Sequence, residues 1–181
     1  FNINQLNKIS FSALAAAAIM NLLKRQRDAV GLSIHSNDYD YYSDEKGSER
    51  HHQMLLAKLN ESLVEKRTQI ITKTYTYLHE IADKIKRRSM VFLFTDMFQS
   101  DQEEEKLFEA LQHLKYNKHE VMLFHTVDRS KEIDFDYENR PYKFVDMESG
   151  EEIKVQSGEI HDEYVKQVEG LEKELALRCA Q

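Results

Sequence analysis

Cysteine occurs once in 181 residues, proline once, tryptophan not at all and glycine five times, where average usage would supply roughly 13 glycines and 9 prolines. Each scarcity removes a class of chemistry. Cys179 has no partner for an internal disulfide and cannot build a four-thiolate zinc centre, so a reducing, cytoplasmic setting is expected. The glycines are too scattered for a dinucleotide fingerprint or a Walker A loop, both of which need backbone approach to phosphate. No Gly-x-Ser-x-Gly elbow is present to expose a serine nucleophile. Basic charge is also short. Against 32 Asp and Glu stand 25 Lys and Arg, a net charge of −7, which argues against nucleic acid, where affinity comes from cations displacing counterions.

Long hydrophobic runs are missing too. The most apolar stretch, residues 9–23, is too short to span a bilayer and is interrupted by Ser10, Ser12 and Asn21, so no membrane segment is expected. Ile9, Ala13, Ala16, Met20 and Leu23 recur at helical spacing instead and predict an Ala-rich helix packed on a sheet. With 41% apolar and 31% charged residues, the chain reads as one soluble globular domain covering 1–181.

What is present alternates between short apolar runs and helical periods. Residues 29–36 predict a buried strand, 39–42 its hairpin partner and 43–47 a polar loop. Ser48 is placed to cap a helix bearing Met54, Leu55, Leu59 and Leu63 on one face. A second helical period runs from Ile70 to Ile85 and ends in Lys84, Lys86, Arg87 and Arg88, cations suited to the negative end of the helix dipole. Residues 89–95 form the clearest strand and 121–126 another; between them Ser100 precedes an acidic turn and a helix with Leu107, Phe108, Leu111 and Leu114 behind it. Residues 142–146 and 152–155 predict an edge hairpin, and an amphipathic helix from about Glu159 closes the chain, with Gly170 inside it. The pattern predicts an α/β fold with a mainly parallel sheet and right-handed crossovers.

In open α/β sheets ligands bind beyond the carboxyl ends of the strands. Those ends carry Ser36, Asn37 and Asp38, then Thr95 and Asp96, then Thr126 and Asp128. Hydroxyl and carboxylate oxygens without thiols suit a hard cation such as magnesium, although the same residue types are ordinary turn formers and caps.

Three segments sharpen this picture: Arg27-Asp28-Ala29-Val30-Gly31-Leu32-Ser33-Ile34, Lys66-Arg67-Thr68, and Arg87-Arg88-Ser89-Met90-Val91-Phe92-Leu93-Phe94-Thr95-Asp96-Met97-Phe98. Together they resemble the uncharacterised bacterial family called domain of unknown function fifty-eight, whose members look like von Willebrand factor A domains. The resemblance implies a doubly wound, Rossmann-like sheet with helices on both faces and a metal-ion-dependent adhesion site at its carboxyl edge. In such a site Thr68 matches the second loop and Asp96 the third, while the first loop, Asp-x-Ser-x-Ser, is not in this sequence. By the same resemblance the first central strand and that loop precede Phe1, so the domain is expected to be incomplete at its N-terminus. Lys66 and Arg67 stand beside Thr68, and Met97 follows Asp96 where glycine is frequent. Adjacent cations repel a divalent metal, so magnesium binding by these residues is expected to be weak or absent.

The implied function is a protein-interaction module rather than an enzyme, engaging an acidic partner residue through a divalent metal. The family resemblance further implies work with a MoxR-type AAA ATPase in assembling other proteins. The rival reading is a magnesium-dependent hydrolase or phosphate-handling enzyme using Asp96 and Asp38. One further motif, His79-Glu80-Ile81-Ala82-Asp83, has the spacing of a zincin helix with Asp in the last ligand place. No later ligand stands out for it, and an exposed polar helix face is the plainer reading. His51 and His52 are adjacent and point to different sides of a helix, while His35, His119 and His125 lie in or beside predicted strands, where a histidine is more often a satisfied polar group than a ligand.

Overall fold

The computed structural model describes residues 7–36, 39–64, 74–96, 101–145, 150 and 152–180. The chain divides into two compact units, Phe1–Thr126 and Val127–Gln181. The first contains helix α1 (Lys8–Gln26), strands β1 (Val30–Ser36) and β2 (Tyr39–Lys46), helices α2 (Glu49–Val64) and α3 (Thr74–Lys84), strand β3 (Met90–Thr95), helix α4 (Asp101–Tyr116) and strand β4 (Glu120–His125). Alternation of helices and strands is the architecture the periodicity predicts.

Local chemistry accounts for the element ends. The Asn7 side chain accepts from the Ser10 amide at 2.7 Å and caps α1. Ser48 Oγ accepts from the His51 amide at 3.3 Å, the predicted cap of α2. At the other end of α1, Arg27 turns left-handed with φ 65°, and the amides of Arg27 and Asp28 return to Lys24 and Leu23. The end of α4 repeats the device: Lys118 has φ 66°, and the amides of Lys118 and His119 bond Lys115 and Leu114. Both are paired closures of the Schellman type, with a basic residue where glycine is usual. The Ser100 cap lies outside the described residues.

Strand pairing refines the expected sheet. β3 and β4 are parallel neighbours in unbroken register from Met90 opposite Glu120 to Thr95 opposite His125. β1 and β2 form the predicted antiparallel hairpin, but β2 continues through Lys46, so residues 43–46 are strand and not loop. The register shifts between Val30 and Leu32. At that shift an added Cβ on Gly31 would lie 2.7 Å from the Ser43 carbonyl oxygen, an approach only glycine permits. The expectation that 29–36, 89–95 and 121–126 share one mainly parallel sheet is met for the last two alone. Among the described residues, pairing gives separate two-stranded ladders, β1-β2, β3-β4 and a third below, and only β3-β4 is parallel. The physical reason is that hydrogen-bond ladders join only adjacent strands, and no described strand pairs with both β1 and β3.

Two apolar clusters hold the first unit. Met20, Leu55 and Leu59 pack α1 and α2 on Val30, Leu32 and Ile34 of β1. Leu78, Ala82, Leu107, Ala110 and Leu114 join α3 to α4, against Val91 and Leu93 of β3 and Val121 of β4. The residues named on each strand occupy alternate positions and so share one face, and burying each leucine fully contributes on the order of 1.5–3 kcal/mol.

The second unit begins with a π-helical turn, Arg129–Ile133, followed by β5 (Pro141–Val145), β6 (Glu152–Gln156) and α5 (Ser157–Ala180). β5 and β6 form the predicted antiparallel hairpin. α5 starts two residues before the expected Glu159 and runs unbroken through Gly170. Phe135, 4% exposed, is its centre, with ring contacts to Tyr137, Phe144 and Tyr164 at centroid distances of 4.9, 5.8 and 4.5 Å. No described helix is long and apolar enough to cross a membrane.

Candidate functional site

The carboxyl end of the β3-β4 pair is where loops leave a parallel ladder, and it brings together Thr95, Asp96, His125, Thr126 and, from the start of α1, Lys8. The ladder continues one step past its strands: the Thr126 amide donates to the Thr95 carbonyl at 2.9 Å, and Thr126 Oγ1 donates to the same oxygen at 3.3 Å. His125 Nε2 lies 2.8 Å from the Asp96 carbonyl oxygen. A carbonyl only accepts, so that nitrogen carries the proton and the imidazole is oriented by the backbone. Both contacts fix the backbone of Asp96 while its carboxylate extends outward.

That carboxylate is half exposed, at 49%, and accepts from Lys8 Nζ at 3.2 Å. Lys8 opens α1, where a cation opposes the helix dipole, and the Asp96 carboxylate offsets this opposition. The pair is solvent-accessible, so its Coulombic worth is small, about 0–1 kcal/mol. Chemically it is an exchangeable ion pair on a rigid base. An incoming carboxylate can take Lys8, and an incoming cation can take Asp96.

Of the sequence-predicted metal pair, only Asp96 is described. Thr68 lies outside the described residues, as do Lys66, Arg67, Asn37 and Asp38, the second carboxylate of the rival reading. Asp128 serves as a cap: its side chain accepts from the Lys131 amide at 3.3 Å and from Ser130 Oγ at 3.1 Å, closing the π-helical turn. Among the described residues no three His, Cys, Asp or Glu side chains converge to hold a metal ion. The described carboxyl edge offers one outward carboxylate, already paired with Lys8, whereas a hard divalent cation completes about six oxygen positions.

Lys8 is the residue that sequence reasoning missed. It stands 88 positions from Asp96, and nothing in its immediate neighbours marks it as more than a helix-opening cation. His125 was legible only as a satisfied polar group. It is one, but its partner is the backbone of the very residue that carries the candidate carboxylate.

A parallel strand pair backed by two helices, with an outward carboxylate just past its carboxyl end, is an α/β arrangement. The chain belongs to the DUF58 family, described as protein of unknown function, whose profile matches residues 1–174. Comparison with curated proteins and with solved structures found no match.

Proposed function

We propose that the chain is a protein-interaction module of von Willebrand A type that receives an acidic partner residue at the β3-β4 carboxyl edge. The doubly wound arrangement belongs to this proposal, with β1-β2 and β3-β4 as parts of one sheet. The observation that carries it is the Lys8–Asp96 pair, an accessible ammonium and carboxylate at 3.2 Å on a backbone pinned by His125. An acidic partner side chain replaces Asp96 on Lys8 and is selected by charge, with no bond made or broken. The partner class is a MoxR-type AAA ATPase, acting with this chain on the assembly of other proteins.

The test is a surface-plasmon titration of the chain with a purified MoxR-type AAA ATPase. Saturable binding that weakens at least about tenfold in Lys8→Ala, with the melting temperature retained, supports the reading, since a buried interfacial charge contact is worth about 1.5 kcal/mol or more. Absence of binding by the unaltered chain overturns it. So does turnover of a phosphoester that disappears in Asp96→Ala, which would establish the hydrolase instead.

A further inference from the structure

The predicted zincin-like spacing lacked a later ligand, and α4 supplies one. His79 on α3 faces His113 on α4, with their Nδ1 atoms 3.0 Å apart and their ring planes inclined by 39°. The two residues are 34 positions apart, and α3 and α4 are held together by the Leu78, Ala82, Ala110 and Leu114 cluster. The pair is therefore positioned by packed helices, not by mobile loops. Beside it opens a hollow of about 360 Å³ lined by His79, Glu80, Asp83, Glu109, Tyr75 and Lys106, among others. Three of these are carboxylates against one cation, and that cation, Lys106 Nζ, lies 5.2 Å from the centroid of the Tyr75 ring.

The polar neighbours of His113 give the site its direction. Its Nε2 lies 3.4 Å from Asp83 Oδ1. The Asn117 amide nitrogen lies equally far, 3.4 Å, from the same Nε2; in the tautomer that gives the Nε2 proton to Asp83, Nδ1 is a lone pair aimed at His79. Carboxylate, imidazole and open nitrogen in this order are the arrangement by which proteins orient a metal-ligating histidine. Two nitrogens bound to one zinc ion at 2.0–2.1 Å are separated by about 2.9 Å at a right angle and about 3.3 Å in a tetrahedron. The observed 3.0 Å falls between these limits.

We infer that His79 and His113 chelate a divalent transition cation of the zinc class through their Nδ1 atoms. Asp83 orients His113, and Glu109, one helical turn before His113 on the hollow's wall, closes on the ion as third ligand by side-chain rotation, with water in the fourth place. Imidazole with carboxylate selects zinc, copper or nickel over magnesium and calcium. The rotation is needed because three ligating groups do not already converge among the described residues. The site is separate from the β3-β4 edge in residues and in metal class, and the two claims stand or fall independently.

The experiment is calorimetric titration of the untagged full chain with zinc chloride, with cobalt(II) absorption as a second readout. One-to-one binding with a micromolar dissociation constant is expected, accompanied by visible bands of low-symmetry cobalt with nitrogen ligands. His79→Ala and His113→Ala should each weaken zinc by about a hundredfold or more, and Asp83→Asn by about ten- to hundredfold. Glu109→Gln should weaken it by about tenfold while leaving the apo circular dichroism unchanged. Zinc binding that survives His113→Ala, or millimolar binding by the unaltered chain, overturns the assignment and reduces the pair to a hydrogen bond. If His113→Ala fails to fold, Glu109→Gln decides: unchanged zinc affinity there overturns the three-ligand site.

Discussion

The His35 imidazole stacks on the Tyr77 ring, with centroids 3.9 Å apart and planes inclined by 19°. His35 ends the apolar run of β1 and Tyr77 lies on α3, so this contact joins the α1-α2 half of the first unit to the α3-α4 half. Lys84 adds a second tie, with Nζ 5.5 Å from the Tyr42 ring centroid. A double-mutant cycle on His35→Ala and Tyr77→Ala should return a coupling of about 0.5–1.5 kcal/mol in chemical denaturation. A coupling of zero would show that the rings merely lie side by side.

The Lys8–Asp96 pair should contribute far less to stability than to recognition. Asp96→Ala and Lys8→Ala should each shift stability by no more than about 1 kcal/mol, because both groups are partly solvated before and after. Thermal melts check this. A loss of 2 kcal/mol or more would mean that Asp96 supports the fold, and the recognition role would have to be withdrawn.

Magnesium should bind this chain weakly or not at all, and Lys8 is part of the reason. Removing the ammonium in Lys8→Met frees the carboxylate, so magnesium affinity should rise while remaining weak, since one carboxylate cannot complete an oxygen shell. Calorimetry on both proteins reads the change. Tight magnesium binding by the unaltered chain would place the site elsewhere.

Gly31→Ala tests the register shift of the first hairpin. The new methyl would meet the Ser43 carbonyl oxygen at 2.7 Å, so the ladder must open at a cost of about 1–3 kcal/mol. Gly47→Ala, with nothing within 4 Å of the added atom, is the control and should be nearly neutral. Denaturation midpoints of the two variants give the comparison.

In the second unit, burial first and then the neighbouring charge of Glu132 hold the Tyr164 phenol above its ordinary value of 10.0. Its hydroxyl donates to the Glu132 carbonyl at 3.0 Å. A raised folded value means that the neutral phenol stabilises the fold. This contribution is complete below the unfolded value near 10 and is lost as pH rises through the folded one. Tyr164→Phe should therefore be less stable than the unaltered protein at pH 8, and the difference should shrink above pH 10. A gap that stays constant across that range would exclude the titration.

The strands legible in the sequence were those whose apolar residues are contiguous, as in 89–95 and 121–126, and the signal held even though Met90 and Met122 on them are about half exposed. Residues 43–46, Ser-Asp-Glu-Lys, read as a loop because half-exposed antiparallel strands tolerate polar side chains and only the pairing with β1 reveals them. Ladder partition was not legible either, since a strand's apolar pattern says that it is buried, not beside which neighbour. The same limit governs the sites. Asp96 could be picked from its position at a strand end, whereas Lys8 and His113 gain their meaning from partners 88 and 34 residues away. His79 and Asp83 were visible as a spacing, but the approach of His113 from α4 was not.

The left-handed closures at Arg27 and Lys118 carry a consequence for how far this protein can be tuned. A side chain at such a φ costs on the order of 1 kcal/mol relative to glycine, so each helix end holds back stability that a single exchange would release. Arg27→Gly and Lys118→Gly would surrender a cation near a negative helix end, worth typically 0.3–1 kcal/mol, and recover about as much or more from relaxed backbone. The glycine poverty of the chain thus leaves an engineering margin at two surface positions, where heat tolerance can be adjusted by relaxing the backbone alone.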